Sequence, residues 1–571
     1  MMNDFTSFPI HGLSIPSLPD VSPVSDVSQF VMERSGTGRV NATALRDYIA
    51  AFLSPQFSGT IFATVAALRA NTAALSVPCY VEGYAALGDG GQGTFCVLAG
   101  DSTTADDGGI TFVDALGQRW RRQKGDFGYS VKWWGAKGDG ATDDTAAITA
   151  AIGALTTAGG MLYFPPGNYH CAPTTFTAVN HAMLYGSAPY AAQVTFTATG
   201  TGWTFNNCQD LVLWSLAFVS GASGLSGVNF ASGSGVCTVR QCQFTGFDTD
   251  GLQFTGTSLA PLSGHKVLDC LFLQNAQKQL HFVWSEDFWI SGNQFGITSG
   301  SPVPAFGCYL DNSSAGTYTQ NYHWNNNVGF STVNSNFNRI EMNRFEESRA
   351  QGVLLQSPGT YNIFSGNTIH TNNESHTGST AQAAFVGQTQ LMVSGNQAFD
   401  FTGASQAAFA YSFGAGCANL TVRGNQAGNF ATSPYFFDAT IVQTPFNADF
   451  AFVSTSKDTI AAATTEFIGP GGSASGGGVV TVEVPVGRRC SSVQIIGESN
   501  LAPGAGQSFS YTLMVNNVAS TLVATTSGAL FSSFGTSGVA IAPTDAVCVQ
   551  VVTSAGAAVT QHRAIVVFAD Y

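Results

Sequence analysis

From about residue 170 to 450 the chain repeats one short pattern. An apolar residue, any residue and a second apolar residue are followed by two more positions, then Asn or Cys, any residue, and a last apolar residue. It reads FWISGNQF at Phe288–Phe295, LMVSGNQA at Leu391–Ala398 and LTVRGNQA at Leu420–Ala427. Asn343 and Asn367 anchor two further copies, Cys242 and Cys270 stand at the anchor place of earlier ones, and Leu213–Phe218 is a weaker copy. The last apolar residues are Phe218, Phe244, Phe272, Phe295, Phe345, Ile369, Ala398 and Ala427. Their spacing of 23–29 residues, with one doubled gap after Phe295, is that of a solenoid with one coil per repeat. Alternation assigns the faces of the strand before each anchor. Val239, Val267, Ile290, Ile340, Phe364, Val393 and Val422 are predicted to point inward; Trp214, Arg240, Leu268, Ser291, Glu341, Ser365, Ser394 and Arg423 outward. Stacked Asn side chains can bond one another and the backbone along such a stack.

Before the repeat, Val131–Tyr169 changes period. Val131–Ala136 reads as a short aromatic strand and KGDG (137–140) as a turn. Thr142 and Asp143 fit a helix start, with Asp144 in the first turn. Ile148, Ile152 and Leu155 form a narrow apolar face, Gly159-Gly160 ends the helix, and Met161–Pro165 is a strand. The open end of a solenoid exposes stacked apolar side chains and unpaired backbone, so a helix here would cap it. Beyond about 455 the anchors vanish. A Gly/Ser-rich stretch at 469–478 precedes strands near 479–484, 492–497, 509–515, 519–525, 546–552 and 564–568, the pattern of a β-sandwich.

The wording of Val131–Tyr169 (GAKGDGATDDTAAITAAI, then GGMLYFPPGNY) resembles the opening of the pectate-lyase-like, right-handed parallel β-helix superfamily. Gly/Asp turn clusters within 58–125, among them GDGG at 88–91 and ADDGG at 105–109, resemble a small module that precedes this motif in phage tail proteins. The stretch 501–513 resembles a jelly-roll module found at the ends of phage tail and spike proteins. The resemblance implies a bacteriophage tailspike or tail fibre: all-β, a single-stranded pectin-lyase-like β-helix at 126–454, a particle-attachment leader at 1–57, a small β-rich neck module at 58–125 and a jelly-roll-like β-sandwich at 455–571 for trimerisation or host binding. The partners it implies are bacterial surface polysaccharide, a phage tail or baseplate protein at the N-terminus, and two further copies in a homotrimer of the virion tail. In the leader, 28–53 reads as a hairpin and then a helix from Ala42 or Thr43.

Composition adds exclusions. Only 10% of residues are charged, with 65 Gly and 43 Phe, which suits an all-β chain rich in turns. A net charge of −14 argues against nucleic-acid binding. No apolar run reaches membrane-span length, and no signal-peptide pattern opens the chain. The 11 cysteines, without a C-x-x-C pair, read as reduced and buried in a protein made in the host cytoplasm. No metal or cofactor motif is present; Asp106-Asp107 reads as a turn.

Cleavage of a glycosidic bond calls for two carboxyl groups about 5–10 Å apart, within one coil or on coils one or two apart. That separates Asp248 and Asp250 from Glu346 and Glu347, about four coils on. Two clusters remain. One holds His281, Trp284, Glu286, Asp287 and Trp289; the other Arg339, Glu341, Glu346 and Glu347. Asp311 could join either. Residues 301–335 break the repeat and carry Tyr309, Tyr318, Tyr322, His323 and Trp324, the composition of a groove wall. The expectation is a polysaccharide depolymerase, by hydrolysis, with Glu286, Asp287, Asp311, Glu341, Glu346 and Glu347 as the acid–base pool. Trp284, Trp289, Tyr309, Trp324, Arg339 and His281 would bind substrate. The alternatives are a lyase on the same fold, and a fibre that binds glycan without cutting it.

Overall fold

The computed structural model describes residues 60–124, 128–297, 302–372, 381–400, 407–428 and most of 430–569, with the pairs 29–30 and 40–41. Gln29–Phe30 and Val40–Asn41 pair antiparallel, as the expected hairpin requires. The helix expected from Ala42 lies outside the described residues.

Residues 61–88, 92–106 and 110–123 belong to one compact unit. A five-stranded sheet and the helix Val65–Arg69 enclose Val65, Leu68, Cys79, Val81, Phe95, Phe112 and Trp120. Thr64 caps this helix by accepting from the backbone of Ala67. Asp106 is held by Arg69 at 2.7 and 2.9 Å, which is structural work.

The second unit contains the solenoid. Three parallel sheets of 12, 12 and 11 strands run along it, and each coil gives one strand to each. We number complete coils from 1, which contains Gly160–Phe164, to 11, which contains Thr421–Arg423. The first sheet holds the strand before each anchor, the second the strand after it, and the third a longer strand such as Phe306–Asp311. All seven residues predicted inward are buried, at 0–5% exposure, and none of the outward row is.

The anchors form a ladder. Asn293, Asn321, Asn343, Asn367, Asn396 and Asn425 are each linked to the next by Nδ2–Oδ1 bonds of 2.8–3.1 Å. Each Asn Nδ2 donates to the Oδ1 of the next coil's Asn and to a carbonyl of the previous coil, and its Oδ1 accepts from the previous coil's Asn, so no buried amide is left open. The residue before each anchor turns the chain with positive φ. Gly292, Gly366 and Gly395 take this place at 64–71°, and Gln241, Asp269 and Met342 at 51–56°. That is why Gly-Asn recurs in the repeat.

Inside, rings stack coil on coil along the second sheet: Phe218, Phe244, Phe272, Phe295, His323 and Phe345, with centroids 4.6–5.2 Å apart. Such contacts contribute about 0.5–1.5 kcal/mol each beyond burial.

The structure corrects three expectations. Residues 301–335 are not an insertion: Thr317–Thr319, Tyr322–Trp324 and Val328–Val333 make a regular coil 7. Tyr318 and His323 are buried in the core, not exposed on a groove wall. Asn321 is the anchor that the doubled gap concealed, because His323 fills the apolar place two residues later. Second, Val131–Trp134 is a 3-10 turn rather than a strand. Third, Asp139–Asp143 pairs as a strand with Gly167–Cys171, so the helix starts one residue later, at Thr145 after Asp144. Asp144 is buried and accepts from the backbone of Lys137 (2.6 Å) and Gly138 (2.9 Å), which closes the KGDG turn. Burial raises its pKa against those bonds.

At the C-terminal end, two antiparallel sheets share one core. Val493, Ile495 and Val566 of one meet Phe509, Tyr511, Leu513 and Val549 of the other. Ten described cysteines are free thiols, nine of them buried. Among the described residues no helix is long and apolar enough to cross a membrane.

Candidate active site on the second sheet

A solenoid coil sends neighbouring residues to different faces, and the sequence clusters are dispersed accordingly. Glu286 and Asp287 are exposed in the turn from the third sheet to the first. Trp284, with φ of 48°, opens that turn. Trp289 is exposed on the first sheet, as is Arg339 two coils on. Glu341 shares that sheet and is held by Arg339 at 3.1 Å and by the Ser365 hydroxyl at 2.9 Å. His281 and Tyr309 lie on the third sheet. Asp311 ends a third-sheet strand beside Val283, three residues short of the Glu286 register, and accepts from Asn312. Arg339 and Glu341 form one pair and His281 and Tyr309 another, while Trp324, Glu346 and Glu347 gather at a third place.

That third place is the outward face of the second sheet. The register stacks Trp324, Glu346, His370 and Phe399 on coils 7 to 10, with Tyr322 beside Arg344 one row over. Glu346 is the centre. Its Oε2 accepts from Arg344 Nε at 2.7 Å and from His370 Nε2 at 2.6 Å, and its Oε1 accepts from the Tyr322 hydroxyl. Its side chain is only 7% exposed, while Arg344 is 55% exposed. A carboxylate so buried keeps its charge only with several donors around it. Glu347 follows in the turn, with Asn325 Nδ2 at 3.4 Å. It acts electrostatically on both Tyr322 and His370.

Protonation follows from these contacts. Burial lowers the His370 pKa although Glu346 pulls it up, so the imidazole is neutral near pH 7. Burial, with Glu346 adding to it, pushes the Tyr322 phenol up to about 12, so it stays a donor.

Aromatic surface flanks the carboxylate on both sides. Tyr322 and Trp324 stack at 5.1 Å and 27°. The Trp324 indole lies over Gly296, where a Cβ would come within 2.1 Å of it, and its Nε1 donates to the Ile297 carbonyl. Gly296 thus makes room for a fixed aromatic platform. On the other side His370 and Phe399 stack at 5.0 Å and 4°. Beyond them lies an open depression of about 300 Å³, lined by Gln397, Phe399, Gln426 and Gly428 among others. The result is a track across five coils with a buried charge in it, flanked by rings and amides.

Sequence reasoning missed His370 and Phe399 and left Tyr322 and Arg344 out of the candidate set. The signal was present: they occupy the first and third places after each anchor, rows as regular as those written out for the preceding strand. Among the described residues no group of three or more His, Cys, Asp or Glu could hold a metal ion.

Three family models match the chain: the phage tail protein small four-stranded beta-sheet domain at 61–125, the rhamnogalacturonase A/epimerase, pectate lyase-like model at 128–304, and the right handed beta helix region at 226–427. Alginate lyase 7 of Azotobacter vinelandii is 62% identical over 42 residues, which are 7% of this chain and only 5% of that protein. Among solved structures, full-length tailspike protein 2 from Escherichia coli O157:H7 bacteriophage CAB120 aligns over 96% of this chain and 86% of its own, at 13% identity and a TM-score of 0.54. The enzymatically active domain of bacteriophage CBA120 tailspike protein 2 aligns over 90% of this chain and 91% of its own, with the same identity and score. At that identity the likeness is one of fold. The chain carries a phage-tail β-sheet domain followed by a pectate-lyase-like, right-handed parallel β-helix, the fold it shares with those tailspike structures.

Proposed function

We propose that this protein is a virion tail component that binds a bacterial surface polysaccharide along the second sheet and depolymerises it, with Glu346 at the point of cleavage. The observation that carries the reading is the buried Glu346 carboxylate between two aromatic platforms, with three side-chain donors on it. Sugar rings stack on the faces of Trp324 and Phe399. Glu346, oriented by its three donors, serves as base or nucleophile, and Glu347, in the turn beside it, serves as the acid that protonates the departing oxygen. Hydrolysis fits the charge: Arg344 is already committed to Glu346, and with His370 neutral the cluster offers a uronate no unpaired cation. That suits an uncharged glycan better than a polyuronate. One observation favours the lyase alternative. A neutral His370 and a protonated Tyr322 are the base and acid that β-elimination needs. The test is to incubate the full chain with a panel of purified bacterial surface polysaccharides and analyse the fragments. New reducing ends without the ultraviolet absorbance of an unsaturated uronate support hydrolysis. That absorbance shifts the reading to elimination, and binding without shortening makes the protein a receptor-binding fibre.

A further inference from the structure

A second group of ionisable side chains lies on another face, along the third sheet in coils 4 to 6. Asp250 stands just before the strand Leu252–Thr255 and is 3% exposed. Its Oδ2 meets His281 Nδ1 at 2.8 Å and accepts from Gln253 Nε2 at 2.6 Å. Its Oδ1 accepts from the backbone N–H of Lys278 at 3.1 Å, and the Lys278 ammonium lies 3.8 Å away. Burial alone would raise the Asp250 pKa; His281, Gln253 and Lys278 outweigh it and lower it. This carboxylate stays charged and has no free valence. It therefore fixes His281 with its proton on Nδ1 and leaves the Nε2 lone pair unused, and Nε2 is buried without a partner. Tyr309 of the next coil stands edge-on to the imidazole, 5.6 Å between centroids, and its ring also faces the Lys278 ammonium at 5.6 Å.

Such a set is unsuited to a glycosidic bond, because its one carboxyl can neither attack nor protonate. What it offers is an oriented imidazole base with a cation and a phenol beside it, the requirements for adding water to a carbonyl. We propose that Asp250, His281, Lys278 and Tyr309 form a second active site that hydrolyses ester substituents on the glycan carried by the solenoid. His281 Nε2 takes a proton from water as its oxygen bonds to the ester carbon. Lys278 faces the resulting oxyanion. Collapse breaks the carbon–oxygen bond to the sugar, whose oxygen receives the proton from His281, leaving a free hydroxyl and a carboxylic acid. His281 is the catalytic base and Asp250 a positioning residue. Tyr309, edge-on to the imidazole, is the neighbouring side chain whose displacement would admit water to the buried Nε2.

The identity of the polymer rests on the function proposed above; the chemistry does not, and the probes separate the two. The full chain is assayed with 4-nitrophenyl acetate and with chemically O-acetylated dextran, following nitrophenolate and acetate release, and depolymerisation is measured in parallel. The wild type is expected to release both products above a heat-inactivated control. His281→Gln should lose at least 10-fold of that release with depolymerisation unchanged. Lys278→Met should lose several-fold, and Asp250→Asn should lower kcat with KM unchanged, which a merely structural role would not do. Release from 4-nitrophenyl acetate alone confines the site to small esters and overturns the glycan assignment. No wild-type release, or equal release by folded His281→Gln and Lys278→Met, overturns the site itself.

Discussion

The cap at 139–144 and coils 7 to 9 of the second sheet both gather carboxylates, and they use them in opposite ways. In the cap every carboxylate works locally on the backbone. Asp139 accepts from Ala141 and Thr142, Asp143 from Thr145, and Asp144 from Lys137 and Gly138. These bonds close turns and start a helix, and a reacting molecule would have to break the fold to use them. Glu346 accepts from Tyr322, Arg344 and His370, side chains contributed by three coils. Removing any one of those leaves the backbone intact. Acids that satisfy main-chain N–H groups hold the fold; acids held by side chains across coils are free to do chemistry.

That contrast can be broken most directly at Glu346. Glu346→Gln keeps the shape of the cluster and is expected to reduce the cleavage rate at least ~100-fold while the thermal midpoint moves little. Equal loss of rate and stability would place Glu346 with the cap. Asp144→Ala should do the reverse. Two half-buried N–H groups lose their acceptor, which costs about 1–3 kcal/mol in denaturant titration, and activity per folded molecule should stay as it was.

Acid separates the outward row from the core beneath it. His323 sits in the phenylalanine stack, and burial lowers its pKa from 6.5 to about 3. His265, also enclosed, lies at about 4. The unfolded chain binds these protons near 6.5 and the folded chain does not, so stability is complete above 6.5 and is lost progressively as pH falls toward 4 and 3. His323→Phe, matching Phe295 and Phe345, should show a shallower loss of stability between pH 6.5 and 4 in thermal melts at fixed salt. The smallest effect concerns the platform. Trp324→Ala removes one stacking face and should weaken glycan binding by about 5–10-fold, near 1–1.5 kcal/mol, with fragment lengths unchanged.

Much of the solenoid was legible in the sequence, because inward-facing rows are constrained by packing and recur as apolar letters. Val239 and Val422 were placed correctly from alternation alone. Coil 7 was missed because His323 and Tyr318 do the work of apolar residues there, bonded to each other inside the core. The candidate site was mostly illegible for a different reason. Outward rows carry no common letter, and Trp324, Glu346, His370 and Phe399 meet only through stacking register, 22 to 29 residues apart. Glu286, Asp287 and Trp289, close in sequence, are sent to a turn and to another sheet. Proximity in the chain was the wrong metric; place within the coil was the right one.

The central claim is that the polymer is cut at Glu346. Its most direct test is the length of a purified surface polysaccharide after incubation with wild type and with folded Glu346→Gln, read by size-exclusion chromatography. The account predicts short oligosaccharides with wild type and intact polymer, still bound, with Glu346→Gln. Shortening by both proteins to the same fragments would contradict it.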